Sequence, residues 1–253
     1  MIEVAGLTKR YGATVAVADV SFDVGPGELL ALVGGSGSGK TTTLKMVNRL
    51  VEPDSGRVRL DGQDTAGLPP HRLRRSIGYV FQGAGLFPHR TVAENVQVPL
   101  RLLGWSRGRI GARVAELLAL VELDAGLAGR FPAALSGGEQ QRVGVARALA
   151  ASPRVMLLDE PFGALDALTR DRLQRSFDAL RRRLGLTAVF VTHDMAEALV
   201  LADRVGVMRE GRLLQLGPPA ELARAPADEG VARMLDTPRR QARLVAERLE
   251  GRT

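Results

Sequence analysis

The stretch that most restricts the fold is Leu29–Thr43, LLALVGGSGSGKTTT. Five apolar residues without polar alternation suit a strand covered on both faces, as a parallel strand is when helices flank its sheet. Glycine and serine then interrupt regular structure, and a helix is predicted from about Lys40 to Leu50, stopping before Pro53. Strand, glycine-rich turn and helix in immediate succession are half of a strand–helix–strand unit. Further buried strands are predicted in VMLLDE (155–160), LTAVFVTHD (186–194) and RVGVMREGRLLQLG (204–217), the last with a hairpin at Glu210-Gly211. Helical segments separate the first two pairs, so the class is α/β with a mainly parallel sheet.

Two regions depart from that pattern. The opening, MIEVAGLTKRYG followed by ATVAVADVSFDVGPGE, alternates apolar and polar residues and turns at Gly25-Pro26-Gly27; GRVRLDGQD adds a short strand turning at Asp61-Gly62. From Thr91 to Leu135, TVAENVQVPLRLLG and GRIGARVAELLALVEL carry helical periodicity, which predicts a helical insertion.

Composition narrows the setting. Hydrophobic residues are 45% and charged residues 25% of 253, as expected of a chain with a sizeable core. No apolar run approaches the ~18–20 residues that span a bilayer, and MIEVAGLTKRYG lacks a secretory layout. Without cysteine there are no disulfides or thiolate metal sites, which suits an intracellular chain. The net charge of +7 comes partly from RRQARLVAERLEGRT (239–253). There the arginines interleave with Glu247, Glu250 and apolar residues, so a solvated amphipathic helix is expected and no nucleic-acid surface.

GGSGSGKT, Gly34 to Thr41, satisfies G-x-x-x-x-G-K-[ST], and it lies where that pattern needs to be, after a buried strand and before a helix. In such a loop the backbone N–H groups of Gly34, Gly35, Ser36, Gly37, Ser38 and Gly39 point at phosphate oxygens, and the following helix start, with Thr42, adds partial positive charge. Lys40 is expected to neutralise β- and γ-phosphates and the Thr41 hydroxyl to ligate Mg²⁺. A dinucleotide fingerprint is excluded, because Gly35-x-Gly37 is followed by Lys40 where its third glycine belongs. The acidic counterpart is the end of VMLLDE: Asp159 for the metal and Glu160 as general base for a water. Asp228-Glu229 reads as a surface pair, whereas Asp159-Glu160 closes an apolar strand, where a carboxylate needs a reason to be.

A second glycine-rich helix start lies in ALSGGEQQRVGVARALAAS (134–152). Ser136 and Glu139 form a capping-box pattern, and Val143, Ala146, Leu149 and Ala150 recur at helical spacing. Gly137 and Gly138 nevertheless occupy the first turn, at about 1 kcal/mol each relative to alanine. Bare backbone at a helix N-terminus admits close approach of an anion.

With these three features in order, the chain resembles the ATP-binding subunits of ABC transporters, whose signature sequence matches Leu135–Gln140, LSGGEQ; the resemblance runs from about Ile2 to Leu222. It implies a P-loop NTPase (RecA-like) core with an antiparallel β subdomain and an inserted α-helical subdomain, about 91–150, carrying the signature. The cassette would be residues 1–222, followed by a short helical tail at 223–253 without the CBS domains of many relatives. Two copies would pair head to tail, so that Ser136, Gly137, Gly138 and Glu139 of one meet the γ-phosphate held by the other. The resemblance further implies that Tyr11 (LTKRYG) stacks on adenine, that Gln82 (YVFQ) reaches Mg²⁺ and the attacking water, that Asp166 (GALD) lies at the dimer interface, and that His193 (VFVTHD) contacts the γ-phosphate. His71 and His89, in proline-flanked contexts, read as surface residues. Gly35 stands where many relatives have proline.

ATP and Mg²⁺ are therefore the expected cofactors. The expected partners are transmembrane permease subunits, a second copy of the chain and, for an importer, an extracytoplasmic substrate-binding protein, with the chain peripheral to the cytoplasmic face of the membrane. TTTLKMVNRLVEPDSGRVRLDG and RRSIGYVFQGAGLFPHRTVAENV resemble importers of glycine betaine, choline or carnitine, above all at Asn48–Gly56. An importer of amino acids or another small polar solute is the neighbouring alternative. An ABC ATPase acting on DNA or ribosomes is a more distant one, opposed by the single phosphate loop and the lack of a long heptad run or cysteine cluster.

Overall fold

The structure is a computed structural model that describes residues 1–163 and 165–250. One sheet is antiparallel and joins β1 (Ile2–Tyr11), β2 (Thr14–Val24), β4 (Ser55–Leu60) and β5 (Gln63–Asp64) in the order β2-β1-β4-β5. The other contains β3 (Leu29–Val33), β6 (Ile77–Val80), β7 (Val155–Asp159), β8 (Thr187–Thr192), β9 (Arg204–Arg209) and β10 (Arg212–Gly217) in the order β10-β9-β3-β8-β7-β6. All its pairings are parallel except that of β10 with β9. The tight turns at Asp61-Gly62 and Glu210-Gly211 have both residues left-handed, the twist that two-residue hairpins favour.

The continuous apolar run of β3 has a simple cause. Alternate residues face opposite sides. Leu29, Ala31 and Val33 pack with the helical side of the molecule, while Leu30 and Leu32 pack with the antiparallel sheet. Every residue of β3, β7 and β8 is buried.

Helix α1 (Lys40–Val47) follows the phosphate loop and ends short of Leu50, because Arg49 turns left-handed at φ 56°. The Arg49 guanidinium then donates to the carbonyls of Thr65 (3.0 Å) and Leu68 (2.8 Å), so the Asn48–Gly56 stretch clasps the neighbouring turn. After α2 (Pro70–Ser76) the expected helical part contains α3 (Val92–Leu102), α4 (Arg107–Leu120) and α5 (Gly137–Leu149). Thr91 and Glu94 give α3 a complete capping box. Leu100, Leu117 and Val143 from these helices share one core with Leu29 and Leu158, which fixes α5 against the parallel sheet.

The chain closes through α6 (Ala167–Leu184), α7 (Met195–Leu201), α8 (Pro219–Arg224) and α9 (Glu229–Leu249). Val231 and Leu235 anchor the first half of α9 in the core; Leu244, Val245 and Leu249 farther along are exposed. Residues 251–253 of the tail expected over 223–253 lie outside the described residues. Asp228 does more than a surface pair would: it caps α9 by accepting from the Val231 N–H (2.8 Å) and pairs with Arg209 at 2.5 Å, while Glu229 pairs with Arg233 along the helix. A helix start so close to the sheet needs that cap. No helix among the described residues is long and apolar enough to cross a membrane.

Candidate active site

The chemically equipped residues gather beyond the carboxyl ends of adjacent parallel strands, the usual crevice of an open α/β sheet. β3 delivers the loop Gly34–Gly39, β7 ends in Asp159 and Glu160, β8 leads to His193, and β6 leads to Gln82. Gly39 precedes α1 at φ 96°, and a Cβ there would strike the Ala16 carbonyl, so only glycine serves. Gly35 has nothing within 4 Å of where its Cβ would be.

Lys40 is buried, and its ammonium donates to the carbonyls of Gly34 and Gly35 (2.8 Å each) and to Ser38 Oγ (3.2 Å). Burial pushes its pKa down, while the charges of Glu160 and Asp159 push it up. The cation is thus held at the loop by weak neutral acceptors, which an oxyanion outcompetes.

Thr41 Oγ1 donates to Asp159 Oδ1 at 2.9 Å, joining the start of α1 to the end of β7. A hydroxyl and a carboxylate are hard oxygen donors of the kind Mg²⁺ takes, and that ion ordinarily completes its octahedron with phosphates and waters. The described residues hold no cluster of three or more acidic, histidine or cysteine side chains that could hold a metal ion. Tyr79, which the sequence reading passed over, donates to Asp159 Oδ2 at 3.4 Å. Burial first, then the Asp159 charge, push its phenol well above the ordinary tyrosine range. Its signal in the sequence was faint: an aromatic in a short strand just before Gln82.

Glu160 stands between two partners. Its Oε2 accepts from Gln82 Nε2 at 3.0 Å, and its Oε1 lies 3.4 Å from His193 Nδ1. Its backbone is left-handed at φ 45°, a conformation that costs a non-glycine residue on the order of 1–3 kcal/mol, and its N–H donates to the Val191 carbonyl. That geometry turns the carboxylate out of the strand and toward Gln82. His193 is 60% exposed at its side chain, and His71 and His89 are exposed on the surface. Tyr11, at the far end of β1, is half exposed, with Lys9 Nζ 5.7 Å from its ring centre.

The signature turn is built differently. Ser136 caps α5: its Oγ accepts from the Glu139 N–H (3.3 Å), while its own N–H (2.7 Å) and hydroxyl (2.8 Å) donate to Glu139 Oε2. Gly137 is exposed, but Gly138 is buried, and a Cβ on it would come within 2.5 Å of Thr169 Cγ2 on α6. Gly138 thus makes room for α6, a packing reason for the second glycine that is independent of any anion. Asp166 accepts from the Thr169 N–H at 3.0 Å, and hydrogen bonds from Thr169 hold its carboxyl below the usual range. Asp166, Thr169 and Gly138 thus form one contiguous edge. Among the described residues, no hydrogen bond links Ser136 or Gly137 to the phosphate loop of the same chain.

The family described as ABC transporter matches residues 17–163. Glycine betaine/carnitine/choline transport ATP-binding protein OpuCA of Bacillus subtilis is 47% identical over 252 residues, 99% of this chain and 66% of that protein. Glycine betaine uptake system ATP-binding protein YehX of Escherichia coli is 50% identical over 231 residues, 91% and 75% of the two chains. Fe(3+) ions import ATP-binding protein FbpC of Streptomyces coelicolor is 50% identical over 235 residues, 93% and 67%. The chain spans about two thirds of the length of the B. subtilis relative. Among solved structures, the dimeric post-hydrolysis state of the ATP-binding cassette MJ0796 bound to ADP and Pi superposes with a TM-score of 0.78 at 34% identity, covering 87% of this chain and 99% of that one. The strand-end crevice, the phosphate loop and these likenesses agree: the chain belongs to the ABC transporter family and is one of its ATPase cassettes.

Proposed function

We propose that two copies of this chain bind and hydrolyse ATP between them, and that the cycle drives a separate membrane permease importing a quaternary-amine osmoprotectant such as glycine betaine, choline or carnitine. Residues 1–222 are the cassette and the segment from 223 its helical tail. The observation that carries the chemistry is the seat of Glu160, between Gln82 and His193 and next to the Thr41–Asp159 pair.

An incoming triphosphate offers stronger acceptors than the loop's own carbonyls. Lys40 exchanges Gly34 and Gly35 for β- and γ-phosphate oxygens, and the N–H groups of Gly34–Thr42 close around them. Tyr11 stacks on the adenine. Thr41, Asp159 and Gln82 would hold Mg²⁺, which when bound neutralises phosphate charge. A water, oriented by Gln82 and His193, gives its proton to Glu160 as its oxygen bonds to the γ-phosphorus. The bond from that phosphorus to the bridging oxygen breaks, and ADP leaves with the electron pair. Ser136, Gly137 and Gly138 of the second copy close the site from the other side, adding the start of their helix to the γ-phosphate, with Asp166 alongside.

The permease and an extracytoplasmic binding protein complete the system, with this chain on the cytoplasmic face. Phe81, Phe87, Leu102 and Leu103 are exposed apolar residues around the Gln82 loop and the end of α3, and they suit a permease contact. The cargo reading rests on OpuCA and YehX and on the Asn48–Gly56 stretch. FbpC, equally similar, favours a second reading as an importer of iron or another solute.

Two experiments test this. Glu160→Gln is expected to lower kcat by about 10²-fold or more with ATP binding retained, so that a dimer accumulates on gel filtration; a parental rate excludes Glu160 as the base. In cells lacking the protein, uptake of labelled glycine betaine and choline should be lost and then restored by the intact chain but not by Glu160→Gln. Unchanged uptake, with redundant carriers removed, leaves the ATPase and sinks the osmoprotectant cargo.

A further inference from the structure

Arg147 lies on α5, the helix capped by Ser136, and the residue is 7% exposed. Its guanidinium donates from Nη1 to the Gly85 carbonyl (2.9 Å) and from Nη2 to the Ala84 carbonyl (2.8 Å). The rings of Phe81 and Phe87 each lie 5.9 Å from its central carbon. Burial alone lowers its pKa, and among the described residues no carboxylate pairs with it. A buried cation satisfied only by backbone carbonyls and ring faces is an expensive way to fill space, which an apolar side chain of similar volume does better.

The backbone it grips is unusual. Gly83, Ala84 and Gly85 are all left-handed, at φ 65°, 62° and 53°, and Ala84 carries a Cβ in that region. One turn before Arg147, Gly144 lets the loop in: a Cβ on Gly144 would lie 3.4 Å from both the Cβ and the carbonyl oxygen of Ala84. Gln82, immediately before this run, is the residue that donates to Glu160. Gln141, earlier on the same helix, lines with Gly83, Ala84 and Glu160 a cavity of about 90 Å³, and its buried Nε2 has no partner there.

We propose that Arg147 is a positioning residue for Gln82: from α5 it locks the Gly83–Gly85 run, and so sets how Gln82 reaches Glu160. One rigid helix then carries the turn that serves the second copy's ATP at its start and the clamp on its own copy's Gln82 near its end. Displacement of α5 by a phosphate at Ser136 is transmitted to the Gln82–Glu160 contact through the two Arg147 hydrogen bonds. The proposal rests on the hydrolysis scheme above and adds a residue to it.

The test is steady-state ATP hydrolysis by the full-length chain, with fluorescent-ATP binding and thermal unfolding measured on the same samples. Arg147→Lys keeps the charge but cannot fork two carbonyls. It should lower kcat by about tenfold or more, as a misplacement on the scale of 1 Å does, with nucleotide Kd unchanged within about twofold. Arg147→Gln, which can bond one carbonyl, should lower kcat likewise and serves if the lysine variant is unstable. The deciding comparison is made in a Gln82→Ala background, where Arg147→Lys should cost nothing further. Parental kcat in both Arg147 variants overturns the proposal. So does an Arg147 loss that multiplies with that of Gln82→Ala, which leaves the role of Gln82 standing. A parental kcat in Gln82→Ala alone removes that role, and the proposal with it.

Discussion

The phosphate loop and the signature turn are both glycine-rich helix starts, yet the chain finishes one and leaves the other open. At α1 the residue before the helix is Gly39, left-handed and without any side-chain cap, so no capping side chain occupies the first-turn N–H groups. At α5 the same position is Ser136, and a full capping box with Glu139 occupies the turn. On the proposed reading the first would bind phosphate in a single chain, its cation resting on the loop's own carbonyls until then. The second is self-sufficient in a single chain and binds an anion only if the anion displaces an internal carboxylate. That asymmetry suits the proposed site assembled from two copies, in which affinity would reside in one half and conditional closure in the other.

Lys40→Ala breaks the first half and has the largest expected effect. It removes the only ammonium among the side chains gathered at the site. ATP affinity should fall by about 10²-fold or more, as when one member of a buried charge pair is truncated. Hydrolysis should vanish with it, while thermal unfolding moves little. Fluorescent-ATP titration reads the first outcome, and affinity within tenfold of the parent excludes Lys40 as the main phosphate ligand.

Ser136→Arg breaks the second half. Its stability cost should be about 1 kcal/mol, from the lost cap. Hydrolysis should fall by about 10²-fold, because an arginine cannot fit where backbone must approach phosphate, but each monomer should still bind ATP as the parent does. If monomer binding falls as well, the signature acts within its own chain and the two-copy site is wrong.

The difference between the halves also decides how much the sequence could tell. The LLALV run and the phosphate loop are local: strand burial, glycine geometry and lysine spacing are all written within Leu29–Thr42, and the fold class follows from repeating that pattern. The capping box of α5 is equally local. What the sequence hid are contacts between distant segments. Gly138 needs Thr169 to explain it, Tyr79 needs Asp159, and Arg147 needs Ala84 and Gly85. Val143, Ala146, Leu149 and Ala150 recur at helical spacing, but α5 also buries Gln141, Gly144 and Arg147, because the Gln82 loop covers its other side. A period shows which face is apolar and is silent where a helix is covered by polar backbone. The Asn48–Gly56 stretch is a different case. It carries the resemblance to osmoprotectant importers, yet its arginine clasps a turn by backbone carbonyls, so its physics concerns the cassette and says nothing of cargo.

Glu139→Gln sharpens the comparison with the smallest expected effect. The Glu139 carboxylate accepts from both the N–H and the hydroxyl of Ser136, so it holds negative charge where a second copy's γ-phosphate would arrive. Glutamine keeps the reach and one acceptor oxygen, so the cap survives at a cost of a few tenths of a kcal/mol, the scale of charge–dipole terms at an exposed helix start. Removing the charge lowers the repulsion an incoming phosphate meets, since two unit charges about 4 Å apart near a protein surface interact by up to ~4 kcal/mol before solvent and salt reduce it. In a Glu160→Gln background, where ATP-bound dimers persist, Glu139→Gln should shift the dimer midpoint to an ATP concentration lower by about two- to fivefold, and added salt should shrink the shift. Analytical ultracentrifugation across an ATP series reads both. An unchanged midpoint would mean that Glu139 swings clear before the phosphate arrives, and the closed turn at α5 would then be a cap and no gate.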